Sequence, residues 1–444
     1  MTVRIGIIGA GPAGLTVALA LEKTTESTDT QLTILDRNRS MTDYPGVEYG
    51  IQPRACHALN RLGWKESALT VGHPGSRLVL DVAGAPADQR RIRVNPNKTY
   101  SVYRPEFLEN LSKLLRRTEI LREHEVSGID SHEHGRVLLR FGSRNGTAPR
   151  PREFDIVIAC DGIHSVARTT FFPEAEPMDR GFSIIYLLAE GYPADPRTPV
   201  TFPAIANGGT VQFTKGGFAT NAYFPLGRHR LAIALGFDHS TRARLFDEHE
   251  LAPDTPWTAI PAATKYALAR TLAENTPIHG GLLTQSLELI DDWDDPRVYL
   301  WPMRDSNPLP HPYVEDRNLV LLGDSCHAFL PTIGMGASLA IEDAERLGSR
   351  LGAYLRRAHP MPGHLAATVF EPWAKQRRPV WNHLMGRARV AAARNWVAQH
   401  ENPRFEAVPY VPFSPYIPAR IGSAVFDAAA KLRHRLRRVQ PRPR

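Results

Sequence analysis

Cysteine is scarce in this chain. Three thiols in 444 residues, Cys56, Cys160 and Cys326, show neither the paired spacing of a metal site nor the density of a disulfide framework. Each is expected to be a small buried residue, a usage that fits a reducing cytoplasm. Long hydrophobic runs are missing too: no apolar stretch approaches the roughly 20 residues that a membrane-spanning helix needs. The chain enters a strand-like run almost at its first residue, so no secretory leader is expected. There is no internal repeat, and no carboxylate pair or Ser/His/Asp set demands hydrolytic chemistry. Acidic charge is in deficit, with 46 Asp and Glu against 54 Lys and Arg, a formal net charge of +8. Much of the basic excess lies late, in Arg377, Arg378, Arg387, Arg389 and the tail from Lys431 to Arg438. Such a tail either touches an anionic surface or is a solvated helix end. The second reading is favoured, so no nucleic-acid partner and at most a weak membrane contact are expected. What is plentiful is core: 42% of the residues are hydrophobic, enough for one large or two medium domains.

Against that background three glycine-assisted motifs stand out. Val3 to Ile8 reads as a buried parallel strand, and Gly9-Ala10-Gly11-Pro12-Ala13-Gly14 comes directly after it, opening a helix of small and apolar residues. Strand, glycine turn and helix together form a dinucleotide fingerprint. Gly9 permits the tight turn, Gly11 lets a pyrophosphate approach the backbone, and Gly14 lets helix and strand pack closely. The helix N-terminus supplies unpaired N–H groups and partial positive charge. A second strand, Leu32 to Leu35, ends at Asp36, an acid placed to accept a ribose hydroxyl.

The second motif, Cys160-Asp161-Gly162, comes after a strand at Phe154 to Ala159. The third, Gly323-Asp324, comes after a strand at Leu319 to Leu322 and leads through Pro331 to Gly334-Met335-Gly336-Ala337-Ser338 and a helical run to about Leu351. An Asp at a strand end can hold a ribityl or ribose hydroxyl. Glycines opening a helix can aim N–H groups at the pyrimidine edge of a flavin, which carries negative charge once reduced.

These three motifs, in this order, resemble the fingerprints of the class A flavoprotein monooxygenases, the para-hydroxybenzoate hydroxylase-like family, over roughly residues 1 to 385. The resemblance implies FAD as resident cofactor, NADPH or NADH as transient reductant, and O₂ with a small organic molecule as substrates. A flavin C4a-hydroperoxide would deliver one oxygen atom to an aromatic or other electron-rich molecule. It implies that Gly9, Gly11, Pro12, Ala13 and Gly14 hold the pyrophosphate and that Asp36, with Arg37 beside it, meets the adenosine ribose. Arg104, in an Arg-x-x-Leu-like stretch with Phe107 at the Leu position, would touch FAD, and the backbone of Val126 would meet the adenine. Asp161 and Gly162 correspond to the motif serving both FAD and NAD(P)H. Gly323 and Asp324 would take the ribityl chain, Pro331 would lie by the flavin ring, and Gly334, Met335, Gly336, Ala337 and Ser338 would run along its pyrimidine edge. The chain departs from the pattern at Ser338, where Asn is frequent. It also offers no Arg between Met41 and Tyr49, although Arg37 and Arg39 lie just before.

The expected fold is α/β: a discontinuous Rossmann-type FAD-binding domain (1–72, 100–175 and 301–352), an inserted antiparallel-sheet substrate domain (73–99 and 176–300) and a helical C-terminal region (353–444). No second Rossmann fingerprint is present, which fits transient nicotinamide binding. On the substrate side, Tyr223 in Asn221-Ala222-Tyr223-Phe224-Pro225 either hydrogen-bonds a phenol and helps remove its proton or packs in the sheet. Gln212, His57, His73 and Arg54 are weaker candidates, and His327 is expected to brace the Asp324 loop. Alternatives are a flavin-dependent halogenase or prenyl-chain reductase, and a non-enzymatic basic binding protein. Trp293 and Trp301 stand too far apart for the halogenase Trp-x-Trp-x-Ile-Pro motif.

Overall fold

The structure is a computed structural model that describes residues 2–26, 29–41, 43, 46–65, 77–82, 91–94, 100–131, 135–143, 148–190, 211–215, 220–227, 230–276 and 282–395. Its centre is a six-stranded sheet in the order Tyr313–Val314, Leu319–Leu321, Ile156–Ala159, Val3–Ile8, Thr30–Leu35, Glu119–Leu121. All neighbours are parallel except the Tyr313–Val314 edge. The branched residues of the first strand explain its central place: Ile5 and Ile7 are fully buried, as a parallel strand covered on both faces requires.

Strand register brings the motifs together. Ile8 lies opposite both Leu35 and Ala159, and Ala159 lies opposite Leu321. The C-terminal ends of four strands therefore form one row, and Gly9, Asp36, Asp161 and Gly323 all emerge from it. Motifs up to about 300 residues apart in sequence converge because parallel strands in register end together, at the edge where open α/β sheets bind ligands.

Two helices pack beneath this row. Pro12–Thr24 starts at the first glycine turn, and Gly336–Leu355 starts at the last. Their contact rests on missing side chains. A Cβ at Gly348 would stand 2.6 Å from Ala20 Cβ, and one at Gly352 would stand 1.9 Å from Thr24 Oγ1. At the other end, Gly323 fits between Ala13 and Ala340. The contacts advance in step along both helices, so the two run parallel and their N-termini open at the same end.

A four-stranded antiparallel sheet, in the order Thr220–Gly227, Arg230–Asp238, Met178–Ala189, Tyr299–Asp305, forms the second layer. One face, with Ile185, Leu187, Ile233 and Leu235, is covered by the helices His239–Glu248, Ala262–Glu274 and Leu282–Leu287. The other face, with Ile184, Ala234 and Met303, turns toward Leu330 and Ile333 beside the last motif. A small sheet joins Arg77–Val82 to Arg91–Val94 and to Val211–Lys215.

The expected helical C-terminal region is present and, as far as it is described, packs into the main core. Helix Glu371–Asn395 inserts Trp373, Trp381 and Leu384 into the same cluster as the six-stranded sheet. The basic tail lies outside the described residues. The stretch that begins at Arg104 forms the helix Arg104–Ser112.

Candidate active site

The motif glycines divide into two classes. Gly9 has φ +97, and a Cβ there would meet Cys160 O at 2.5 Å; one at Gly14 would meet Gly9 O at 1.9 Å. These two close the turn and pack it. By contrast, a Cβ at Gly11, Gly162, Gly334 or Gly336 would meet nothing within 4 Å. Four glycines from three separate motifs thus border open space, as a cradle for a ligand backbone would.

The end of the Gly336–Leu355 helix faces the same space. Its first internal bond is Leu339 N–H to Met335 O, at 2.9 Å, so the N–H groups of Gly336, Ala337 and Ser338 precede the helical ladder. Gly334, at φ +61, ends a short turn begun at Pro331, whose carbonyl accepts the Gly334 N–H at 2.8 Å. Pro331, Gly334 and Asp324 are exposed, and Met335, Gly336 and Ala337 half-buried, in surroundings that are otherwise closed.

Three carboxylates mark this edge, and their environments differ. Asp324 sits just past the strand end, its surface open although its carboxyl lies deep in the groove. Burial raises it above the usual carboxylate range, against the pull of His327, Arg168 and Arg104. Asp161 is likewise raised by burial; its Oδ1 is buried with no hydrogen-bond partner, while Oδ2 takes the Ala167 N–H at 3.3 Å. An orphaned buried acceptor beside a space-facing glycine fits a polyhydroxylated ligand. Asp36 is different. Its side chain is closed off, Oδ2 accepting Ala10 N–H at 2.7 Å and Oδ1 accepting Asn38 N–H at 2.8 Å. Its first task is therefore to pin the glycine turn to the second strand. Arg37 beside it is exposed. Val126 is buried near this end of the row, two residues after His124, whose N–H bonds Asp36 O at 2.9 Å.

Ser338 also turns inward. Its hydroxyl donates to Gly50 O and accepts Gln52 N–H, both at 2.8 Å, tying the helix start to the strand Glu48–Ile51. Only its backbone N–H remains for a ligand at the flavin edge. Arg104 stands over the Tyr49 ring, 5.3 Å from its centroid, on the side from which its charge reaches Asp324.

Sequence reading left Arg168, the partners of His327, and Tyr186 without a role. Arg168 is buried and donates to the carbonyls of Asp324 at 3.0 Å, Ser325 at 3.2 Å and Ile163, clamping the second and third motifs together. His327 does brace the loop, through Asp343 Oδ2 at 2.9 Å, and Asp343 is held in turn by Arg377 and by Trp381 Nε1 at 2.7 Å. Their signal was weak because the partners lie on a helix about 35 residues later. The third is Tyr186, on the central strand Met178–Ala189, which reads in sequence as plain core. It is half-buried on the face turned toward Ile333, with Phe224 and Trp301. Burial, and then the charge of Glu48, push its hydroxyl above the usual phenol range. Tyr223 lies in strand Thr220–Gly227 opposite Ile233, a residue of the helix-covered core; the Tyr223 side chain lies outside the described residues, as do His73 and the Gln212 side chain. Phe224 lies opposite Ala232 instead.

Comparison with known proteins agrees with this geometry. A family pattern described as FAD binding domain matches residues 2–195 and 299–368, leaving out residues 196–298, which carry two of the four strands of the second sheet and its covering helices. Salicylate hydroxylase of Pseudomonas putida is 27% identical over 396 residues, covering 85% of this chain and 82% of that protein. The 3-amino-4-hydroxybenzoate 2-monooxygenase of Streptomyces cremeus is 24% identical, covering 79% of each. Among solved structures, 2,6-dihydroxypyridine-3-hydroxylase from Arthrobacter nicotinovorans aligns with a TM-score of 0.68 at 16% identity over 94% of this chain and all of the other. The chain belongs to the FAD binding domain family, its relatives being class A FAD-dependent aromatic hydroxylases, and FAD is its cofactor.

Proposed function

We infer that this protein is an FAD-dependent monooxygenase that uses NAD(P)H and O₂ to hydroxylate an aromatic or other electron-rich small molecule. The observation that carries the reading is the convergence of a row of four strand ends, two parallel helix N-termini and the half-buried aromatic face of the second sheet on one open space. Bound there, FAD would supply the redox and oxygen-transfer chemistry that links NAD(P)H to O₂.

This chain's own groups do the rest. The Pro12–Thr24 N-terminus and Gly11 take the pyrophosphate, where a helix end favours anionic charge. Asp324 and Asp161 accept hydroxyl hydrogen bonds, with Arg168 fixing their loops. The N–H groups of Gly336, Ala337 and Ser338 face the pyrimidine edge, whose negative charge in the reduced state they stabilise. Pro331 closes the ring side. Asp36, with Arg37 at the surface, flanks the ribose end. Tyr186, Phe224 and Trp301 form an apolar wall that excludes water from the reacting atoms. Tyr186 rather than Tyr223 is the tyrosine we place against the substrate, because the strand register puts Ile233 and not Ala232 opposite Tyr223.

The test is a flavin spectrum of the purified protein, then NADPH oxidation in air with a panel of phenols, indoles and amines. A product heavier by one oxygen establishes the monooxygenase. Flavin without oxygen transfer moves the reading to a halogenase or reductase, and no flavin after FAD addition sinks it. Tyr186→Phe should slow substrate oxidation with FAD still bound; the same slowing in Tyr223→Phe instead would return the role to Tyr223.

A further inference from the structure

One ionisable group at this site has no part in cofactor binding. Glu48 lies on the strand Glu48–Ile51, which pairs antiparallel with Tyr100–Tyr103. Alternation gives this ribbon two faces. Ile51, Tyr100 and Val102 belong to the main core. The opposite face carries Glu48 and Gly50, with Ser101 and Tyr103 across from them. At one end of that face, a Cβ on Gly50 would meet Gly334 O at 2.7 Å, so the ribbon presses directly on the flavin-edge loop. At the other end, Tyr103 packs with Leu188, Leu226 and Ala232 of the second sheet. Glu48 therefore stands on the strip between the flavin edge and the substrate sheet.

Directly across from Glu48 stands Tyr103, whose ring carries the Arg230 guanidinium at 4.4 Å and whose hydroxyl accepts from Arg297. The Glu48 carboxyl shares a hydrogen bond with the Ser101 side chain and an electrostatic influence with Tyr186; among the described residues no Lys, Arg or His pairs with it. Burial lifts it to about 7. Yet Glu48 keeps part of its surface open. Holding a carboxyl there costs free energy that a leucine would not, and such perturbed groups in clefts concentrate at functional sites.

We propose that Glu48 sets the substrate class: its carboxylate receives the N–H or O–H donor of an aromatic amine or phenol and turns away aromatic carboxylates. The proposal rests on the monooxygenase reading and narrows it. A second anion beside Glu48 would add like-charge repulsion in poorly solvated surroundings, whereas an ammonium, amine or hydroxyl would add a donor to the one that Ser101 supplies.

Three ligands sharing one phenol ring separate the cases: tyramine, 4-hydroxyphenylethanol and 4-hydroxyphenylacetate, titrated calorimetrically into the FAD-loaded protein at pH 8. In the natural protein tyramine should bind best and the acetate at least about tenfold more weakly. In Glu48→Gln the gap between them should shrink to about threefold or less, with FAD content unchanged. Glu48→Asp, which keeps the charge, should keep the gap, and it serves as the test should Glu48→Gln fail to fold. Acetate binding as tight as tyramine in the natural protein, an undiminished gap in Glu48→Gln, a gap lost in Glu48→Asp, or no saturable binding of any of the three overturns the proposal. Any of these results on a protein that carries FAD and oxygenates some substrate leaves the monooxygenase reading standing; a protein that never takes up FAD sinks that reading.

Discussion

A missing methyl group means different things at Gly9 and Gly11, although they are two residues apart. At Gly9 it avoids a collision with Cys160 O; at Gly11 it leaves space. Gly11→Val should therefore fold with little change in melting temperature yet lose FAD, because the added branches occupy the ligand's path; a variant purified yellow with full flavin content would refute the assignment. Asp324→Ala removes an acceptor from a ribityl hydroxyl. Hydrogen bonds to charged groups contribute roughly 1.5–3 kcal/mol, so FAD affinity should fall about ten- to hundredfold, read by flavin fluorescence on dilution. Glu48 yields a prediction in pH. Its carboxyl rises from 4.5 to about 7 on folding, so the native state prefers it protonated. That preference is fully present below 4.5 and is lost as pH rises through 7. Glu48→Gln imitates the protonated form, so it should melt at a higher temperature than the natural protein at pH 8 and at nearly the same temperature at pH 4.5. Equal melting at both would show that the carboxyl is solvated.

At the scale of elements, the pair of parallel helices does more than fill the layer under the sheet. Because Gly348 and Gly352 let Gly336–Leu355 settle against Pro12–Thr24, two helix N-termini open at the same end. Gly348→Val would force a branched side chain into Ala20 and Val17. Overpacking of this kind costs roughly 1–3 kcal/mol, and a calorimetric scan should show it together with weaker FAD retention, since separating the helices moves both termini. Helix Glu371–Asn395 is bolted on differently, through Asp343. Burial would raise this carboxyl, but Arg377, His327 and Trp381 outweigh burial and hold it below the usual range. Removing one partner of such a buried set costs roughly 3–5 kcal/mol, so Arg377→Met should strongly lower stability in denaturant and free the Asp324 loop that His327 braces.

For the whole molecule, the Asp343 cluster is one contribution to the pH dependence of unfolding, opposite in sign to that of Glu48, Asp161, Asp324 and Glu342, whose carboxyls burial raises. A carboxyl depressed by folding contributes stability that is present above its unfolded pKa, about 3.9, and is lost as pH falls through its lower folded value. Of the described contacts, this cluster and the Arg180–Asp305–Arg389 set join the C-terminal helix to both layers. They anchor the helical C-terminal region, as far as it is described, in the main core.

Local chemistry made the cofactor half legible. Strand runs, glycine turns and the residues opening each helix are written in consecutive positions, because a dinucleotide cradle is built from backbone and needs glycine where backbone must approach closely. Sequence alone therefore determined the order of the motifs, the discontinuous FAD domain and the inserted sheet. It did not determine which polar side chains turn inward. Asp36 and Ser338 occupy the positions of ligand-binding residues, yet their side chains are engaged with Ala10, Asn38, Gly50 and Gln52, which only the strand register brings near. It did not single out Glu48 or Tyr186, since each sits in an ordinary strand pattern. What makes them a pair is that two sheets, more than 130 residues apart in the chain, meet edge to face beside Gly334. Backbone cradles are local and can be read in order, whereas a substrate wall is made of side chains from distant strands and exists only once they pack.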